Sequence, residues 1–267
     1  SQAKGFLIGA TSGRTTLNGE GLQHQDGHSH LFSATIPNCL SYDPAYAYEL
    51  AVIFQHGIQK MFVDLENYYY YITVTNENYK QPPKPQGSEE GIIKGMYQLI
   101  EKKDHQVILL GSGSILNESV KAVEILSSIG IAAEVWSVTS FNMLRKDGID
   151  KQRFNELNPE AISKVSYVEE CLSDDSVPVI ASTDYMRAYP EQIRGYIKAP
   201  FYTLGTDGYG RSDSREKLRE FFEIDANNIA RMASYALFKK GSMTKAEINK
   251  IYKKLNVDPS KPNPWEV

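Results

Sequence analysis

The chain has 267 residues, 41% of them apolar, a formal net charge of −4 and two cysteines. That length and composition suit one large or two ordinary domains with a packed core. The charge gives no footprint for nucleic acid or an anionic membrane, and no apolar run approaches the roughly 18 residues of a membrane span. The N-terminus, Ser1 to Gly9, has neither a start methionine nor the long apolar core of a signal peptide, so it reads as the cut edge of something longer. Cys39 and Cys171 fall in no redox or metal motif, which makes a reduced, cytoplasmic protein the default.

The stretch from Thr11 to Leu22 carries Gly13, Gly19 and Gly21 and runs into His24-Gln-Asp-Gly-His-Ser-His30. It is too polar and Gly-rich for helix or strand. Long polar loops inside compact chains are usually functional or disordered. Three of the five histidines lie here, with Asp26 between them. Imidazoles titrate near neutral pH, so the loop is a candidate proton-handling or metal-binding surface. A structural zinc site is poorly supported, because only Asp26 is near as a further ligand and no cysteine helps. The alternative is a solvated loop that happens to be His-rich.

Asp43-Pro44 predicts a helix start, with Asp43 as N-cap and Pro44 at the first helical position. Tyr46, Leu50, Ile53, Phe54, Ile58 and Met61 then recur at helical spacing, to about residue 62. Tyr68 to Thr75 predicts a strand, its four consecutive tyrosines pointing to burial on both faces. Asn76 to Gly87 holds three prolines and no apolar periodicity, and reads as a semi-rigid spacer. Beyond it, strand and helix signals alternate. Val107 to Leu110 predicts a strand, Asn117 to Ser128 a helix with Val120, Val123, Ile125 and Leu126 inward, and Ile131 to Val138 a strand. Val177 to Ala181 predicts another strand, Pro190 to Ile197 a helix, and Phe201 to Leu204 a strand. Such alternation implies an α/β fold, with a mostly parallel sheet flanked by helices. The last quarter predicts helices over 214–222, 225–239 and 244–255. Asp225 and Thr244 are candidate N-caps, and Thr244-Lys-Ala-Glu247 fits a capping box.

Two further segments invite a ligand. The turn Gly111-Ser-Gly113 follows a strand and precedes a helix, but lacks the third glycine of a dinucleotide fingerprint and the lysine of a P-loop. A tight turn without a ligand accounts for it better. Gly205 to Glu216 follows a strand and is dense in Asp and Arg. It suits an interface, a charged ligand or a plain loop in which Ser212 or Asp213 caps the next helix. His56 and His105 stand alone and read as ordinary histidines.

The string Gly13-Arg-Thr-Thr-Leu-Asn-Gly-Glu-Gly-Leu-Gln-His24, followed by Asp26-Gly-His-Ser-His30, closely resembles the first component of bacterial pyruvate dehydrogenase complexes, of the homodimeric, thiamine-diphosphate-dependent type. The resemblance continues through Pro37-Asn-Cys39, Ser41 to Tyr48, Tyr69-Tyr-Tyr-Ile72, Asn76-Glu-Asn-Tyr79 and Leu110 to Leu116. It runs on through Ser137 to Phe141, Ala181 to Met186, Leu204 to Gly208 and Arg211 to Arg215. It implies a transketolase-superfamily architecture. Residues 1–75 would be the tail of a pyrimidine-binding α/β domain, 76–91 the linker, and 92–267 a transketolase C-terminal-type domain.

The resemblance also implies an enzyme that decarboxylates pyruvate with thiamine diphosphate and magnesium and acetylates the lipoyl group of a dihydrolipoyl acetyltransferase core. Its other implied partner is the second subunit of a homodimer. The family holds magnesium at a Gly-Asp-Gly motif and a later Asn. Here Asp26-Gly27, Asp147-Gly148 and Asp207-Gly208 all lack the preceding glycine. The glutamate that activates the cofactor is expected upstream of Ser1. The chain by itself is therefore expected to hold neither cofactor nor metal and to be inactive. His24 is the first candidate for a substrate-facing imidazole. Asp26 and His30 match the superfamily's Asp-Gly-x-x-His pair, which contacts substrate, and His28 is the weaker candidate. The alternative is a non-catalytic interaction and dimerisation segment whose loop histidines are idle.

Overall fold

The computed structural model describes residues 2–19 and 21–267; Ser1 and Glu20, which belong to the N-terminal reading and to the Gly-rich string, lie outside the described residues. Among the described residues the chain forms two sheets. The first holds β1 (Phe6–Gly9), β2 (Cys39–Tyr42) and β3 (Tyr69–Thr73), in the order β1-β3-β2 and all parallel. Between β1 and β2 lies the short helix α1 (Ser29–Ser33). Between β2 and β3 lies α2 (Ala47–Ile58), which runs on as a π-helical turn over Gln59–Val63. Ile53, Met61, Tyr42, Tyr70 and Ile72 close the small core between that helix and the sheet.

Residues 74–88 contain no helix or strand: β3 stops two residues short of the expected Thr75, and the next helix begins at Glu89, inside the 76–91 expected as linker. Then come α3 (Glu89–Lys94), β4 (Met96–Ile100), β5 (Val107–Gly111), α4 (Leu116–Ser127), β6 (Ala133–Val138) and α5 (Phe141–Leu157). After α6 (Tyr167–Cys171), β7 (Val179–Ser182), α7 (Ala188–Glu191) and β8 (Phe201–Leu204), the chain ends in α8 (Arg215–Phe221), α9 (Ala226–Lys240) and α10 (Lys245–Lys254). The second sheet has the order β4-β6-β5-β7-β8, parallel except for β4.

Every residue of the central strand β5 is buried. Val107 and Leu109 pack toward α4 and α9, while Ile108 and Leu110 pack toward α5, α6 and α7. That two-faced burial is why its sequence reads as an unbroken apolar run, the mark of a parallel strand covered on both sides.

Several predicted boundaries move. The first long helix does not start at Asp43. Tyr46 is its N-cap, and the Glu49 carboxylate accepts hydrogen bonds from the Ala45 and Tyr46 amides at 2.6 and 3.0 Å. Ser214, and neither Ser212 nor Asp213, caps α8. The predicted helix over 190–197 is instead a single turn of α7 and a 3-10 turn at Arg194–Tyr196. Gly195 weakens helix there, and Arg194 spends its guanidinium on Glu191 and the Phe201 carbonyl. In α4, Val120, Val123 and Ile125 are only partly buried, and Leu116, Ala122 and Leu126 face the core with Glu118 and Ser119.

Helix α5 is absent from the sequence-based expectation. Only Phe141, Asn142, Leu144 and Gly148 of its 17 residues are buried, so it has no sustained apolar stripe. Its start is encoded locally: Ser140 Oγ accepts from the Met143 amide at 3.0 Å.

The two sheets are tied together by buried polar groups. Glu49 accepts hydrogen bonds from Tyr97 Oη of β4 and Ser137 Oγ of β6, both at 2.6 Å. Ser140 Oγ donates to the Ser41 carbonyl of β2 at 2.6 Å, and the Gly113 amide donates to the Asp43 carbonyl at 3.1 Å. The Gly111-Ser-Gly113 turn thus serves as a joint: Gly113 has a φ of +51°, and a side chain there would run into the Asp43 carboxylate.

Candidate functional site

The Gly-rich stretch is held across the carboxyl ends of β7 and β8, where open α/β sheets place ligands. The Thr15 amide lies 3.1 and 3.2 Å from the two Asp184 carboxylate oxygens, and Thr15 Oγ1 donates to Asp184 Oδ1 at 2.7 Å. The Met186 amide donates to the Gly27 carbonyl at 2.8 Å. Gln25 bonds the Arg211 backbone twice, donating from Nε2 at 2.7 Å and accepting at Oε1 at 2.8 Å. Arg215 Nε donates to the Thr16 carbonyl at 2.8 Å. The Asp- and Arg-rich segment 205–216 is therefore an interface inside the chain that grips the histidine loop.

Arg14 is buried beneath this loop, with Gly27 pressed against its guanidinium. Burial pulls its pKa down, against the charges of Asp207, Asp26 and Asp184. Its Nε and Nη1 have no hydrogen-bond partner among the described residues. Arg219 is also buried. Its Nη1 donates to Glu77 Oε1 at 3.1 Å and Glu118 Oε1 at 3.3 Å, its Nη2 pairs with Glu77 Oε2, and its Nε donates to Thr15 Oγ1 at 3.3 Å.

The three predicted site residues have different fates. His24 lies on an exposed turn, its amide donating to the Gly21 carbonyl at 3.4 Å. Asp26 starts α1: its Oδ1 accepts from the His28 and Ser29 amides, both at 3.0 Å, and its Oδ2 from the Ser29 hydroxyl. His30, one turn further on, is fully buried. So Asp26 builds the helix that carries His30 inward, while His24 stays outside. His28 is exposed, edge-on to Phe32.

The His30 ring stacks on Tyr189 at 4.8 Å between centroids and meets Tyr185 edge-on at 4.7 Å. Burial drives its pKa down to about 3, with Asp26 opposing. It is therefore a neutral imidazole at neutral pH. Its Nε2 lies 3.0 Å from Thr73 Oγ1, at the end of β3, and its Nδ1 has no partner among the described residues. The Asn142 side chain donates to the His30 carbonyl at 2.8 Å and fixes α1 from outside.

Thr73 Oγ1 donates to Asp43 Oδ1 at 2.7 Å, and Asp43 Oδ2 accepts from Ser112 Oγ at 3.1 Å. The sequence marked Asp43 as a cap and missed this role. Burial first, then the charges of Asp184 and Glu49, raise the Asp43 carboxyl to about 7 against the Thr73 and Ser112 hydrogen bonds. Between about pH 4 and pH 7 the folded chain thus keeps a proton that the unfolded chain has released, so this group lowers stability as pH rises through that window. Asp184, raised to about 6 mainly by burial, acts in the same direction; His30, neutral when folded, acts oppositely below its ordinary value of 6.5. The difference between the parent and Asp43→Asn isolates the one carboxyl. Urea midpoints from about pH 4.5 to about pH 7.5 are expected to show the variant gaining on the parent as pH rises. Parallel profiles would contradict the buried, proton-holding carboxyl.

The residues present do not fit a diphosphate held through magnesium. Among the described residues no three His, Cys, Asp or Glu side chains gather at metal-binding geometry. The three Asp-Gly aspartates are committed to the protein itself. Asp26 starts α1, Asp147 Oδ2 accepts from the Tyr167 amide at 2.7 Å, and Asp207 Oδ2 pairs with Arg187 Nε at 2.5 Å. Two polar surface clefts, one near Arg187, Asp207 and Lys261 and one near Glu77, Arg215 and Arg219, are lined by none of His24, Asp26 and His30. His56 Nδ1 and Tyr70 Oη share a hydrogen bond at 2.9 Å, and His105 sits 3.3 Å from Glu134; neither belongs to the site.

Comparison with known proteins bears on the same residues. Residues 1–82 match the family described as the pyruvate dehydrogenase E1 component middle domain, and residues 95–225 the transketolase-like C-terminal domain. The chain is 56% identical over its whole length to the pyruvate dehydrogenase E1 component of Pseudomonas aeruginosa. It is 53% identical over 98% of its length to that of Escherichia coli K12. It spans 31% and 30% of those two relatives. Among solved structures, a Pichia stipitis transketolase covers 88% of the chain with a TM-score of 0.65 at 20% identity, and a Leishmania mexicana transketolase 87% with 0.64 at 19%. In each case the match takes up 30% of the transketolase chain. These two show the fold alone. No helix among the described residues is long and apolar enough to cross a membrane.

Proposed function

The chain belongs to the pyruvate dehydrogenase E1 component family, and from that premise we propose that it works as one part of a thiamine-diphosphate- and magnesium-dependent enzyme that decarboxylates pyruvate. The observation that carries this reading is identity of 56% sustained along the entire chain. In this reading the acetyl unit passes to the lipoyl group of a dihydrolipoyl acetyltransferase core. The enzyme is a cytoplasmic homodimer. Residues 1–75 complete a pyrimidine-binding domain, 76–91 link it, and 92–267 form the C-terminal domain. Cofactor and metal are held by parts of the enzyme outside this chain.

This chain's contribution is the histidine loop. His24, exposed on its turn, exchanges protons with substrate groups or donates to a developing oxyanion. Asp26 fixes α1, and His30 offers a neutral hydrogen-bonding imidazole instead of a titrating one. The complete burial of His30 favours a second reading, in which the segment serves association and its histidines are idle. One comparison separates the two. The whole enzyme, with thiamine diphosphate, magnesium and an artificial electron acceptor, is expected to turn over pyruvate. This chain alone is expected to show neither turnover nor saturable cofactor binding by calorimetry. A saturable site on the chain alone would overturn the division of labour, and a whole protein inert toward pyruvate would overturn the enzyme.

A further inference from the structure

His30 Nε2 and Thr73 Oγ1 lie 3.0 Å apart, and a hydrogen bond between them has two possible directions. Thr73 has one hydroxyl proton. Asp43 Oδ1, at 2.7 Å, and the Tyr42 carbonyl, at 3.3 Å, both accept it. With its proton committed there, Thr73 Oγ1 can only accept from the imidazole. The direction holds whether the Asp43 carboxyl is ionised or carries its proton on Oδ2, because Oδ1 remains an acceptor in both forms. Ser112 Oγ, at 3.1 Å from Oδ2 and 3.0 Å from Thr183 Oγ1, anchors the far end of the carboxyl. A neutral imidazole that donates from Nε2 bears its lone pair on Nδ1. That atom is buried and has no partner among the described residues. Buried acceptors are seldom left unpaired in a native fold.

We infer that Thr73, oriented by Asp43, is a positioning residue that fixes His30 as the Nε2–H tautomer and so reserves Nδ1 as an acceptor for a donor outside this chain. The relay joins three distant places in the sequence: α1, the end of β3, and the residue that follows β2. It places the choice of tautomer at the junction of the two sheets, because Ser112 follows β5. The inference concerns His30 itself; its catalytic consequence rests on the enzyme reading above.

Nitrogen-15 spectra of the histidine-labelled chain at neutral pH test it directly. The parent is expected to show His30 with a protonated Nε2 and a bare Nδ1. Thr73→Val keeps the shape and removes the hydroxyl, and is expected to lose that preference; Thr73→Ser is expected to restore it. A parent with protonated Nδ1, or a folded Thr73→Val with the parent's pattern, overturns the inference. Should Thr73→Val not fold, the parent's own spectrum and that of Thr73→Ser still decide. In the whole enzyme, Thr73→Val is expected to lower kcat about 10- to 100-fold, by analogy with the loss when partners that orient metal-ligating histidines are removed, with KM nearly unchanged and Thr73→Ser recovering most of the loss. The predicted tautomers with unaltered kcat would leave the positioning intact and sink the catalytic reading of His30.

Discussion

In the whole enzyme, His24→Ala is expected to lower pyruvate turnover about 100- to 10,000-fold, the contribution typical of a positioned general acid or base. The substitution is informative because His24 is exposed. It lies outside the buried network around His30, Thr73 and Asp43, and urea unfolding of the variant beside the parent separates a loss of rate from a loss of fold. An interaction made only in the transition state lowers kcat and kcat/KM together, whereas one made equally to bound substrate raises KM alone. Steady-state kinetics with an artificial electron acceptor bypass the acyltransferase and read that distinction. Asp26→Asn is expected to cost less, because its two backbone hydrogen bonds at the start of α1 need only an acceptor oxygen. His30→Ala is also expected to cost less in rate, but it opens a void against Tyr185 and Tyr189 and so mixes packing with chemistry. His105→Ala is expected to be silent. A His24→Ala enzyme within about twofold of the parent would favour the idle-loop reading.

The largest expected stability effect lies at Arg219. Arg219→Leu removes the cation between Glu77 and Glu118, whose side chains are 18% and 7% exposed. Removing one member of a buried ion pair costs about 3–5 kcal/mol, mostly because the remaining charges stay buried without a partner. Here the loss spreads further. Arg219 Nε donates to Thr15 Oγ1, which in turn donates to the Asp184 carboxylate that anchors the histidine loop. Glu118 also accepts from the Ala226 amide at the start of α9, at 3.1 Å. Urea unfolding of the chain reads the change directly. Adding Glu77→Gln to Arg219→Leu is expected to recover part of the loss, since it removes one orphaned charge. A change under about 1 kcal/mol would place the cluster with surface pairs, which contribute little.

Local signals were legible in the sequence wherever they act within a few residues. Thr244 caps α10 with Glu247 closing the box, and Asp225 caps α9, as the short-range pattern demands. The apolar run at Val107 and the strand at Phe201–Leu204 announced the parallel sheet, because burial on two faces leaves no room for polar alternation. The loop of three histidines stood out as candidate chemistry by composition alone.

The remainder was decided by groups far apart in the chain. Asp43-Pro44 has the local form of a helix start, yet Thr73 and Ser112 converge on the Asp43 carboxyl, and the helix begins later. Helix α5 hides from periodicity because it buries little apolar surface and spends Ser140 and Asn142 on Ser41 and His30. Nothing in the local pattern says which of the three neighbouring histidines is buried, but one turn of helix places His30 inside and leaves His24 and His28 outside. A side chain's charge state and hydrogen-bond direction depend on which distant donors and acceptors surround it, and only the tertiary structure brings those together.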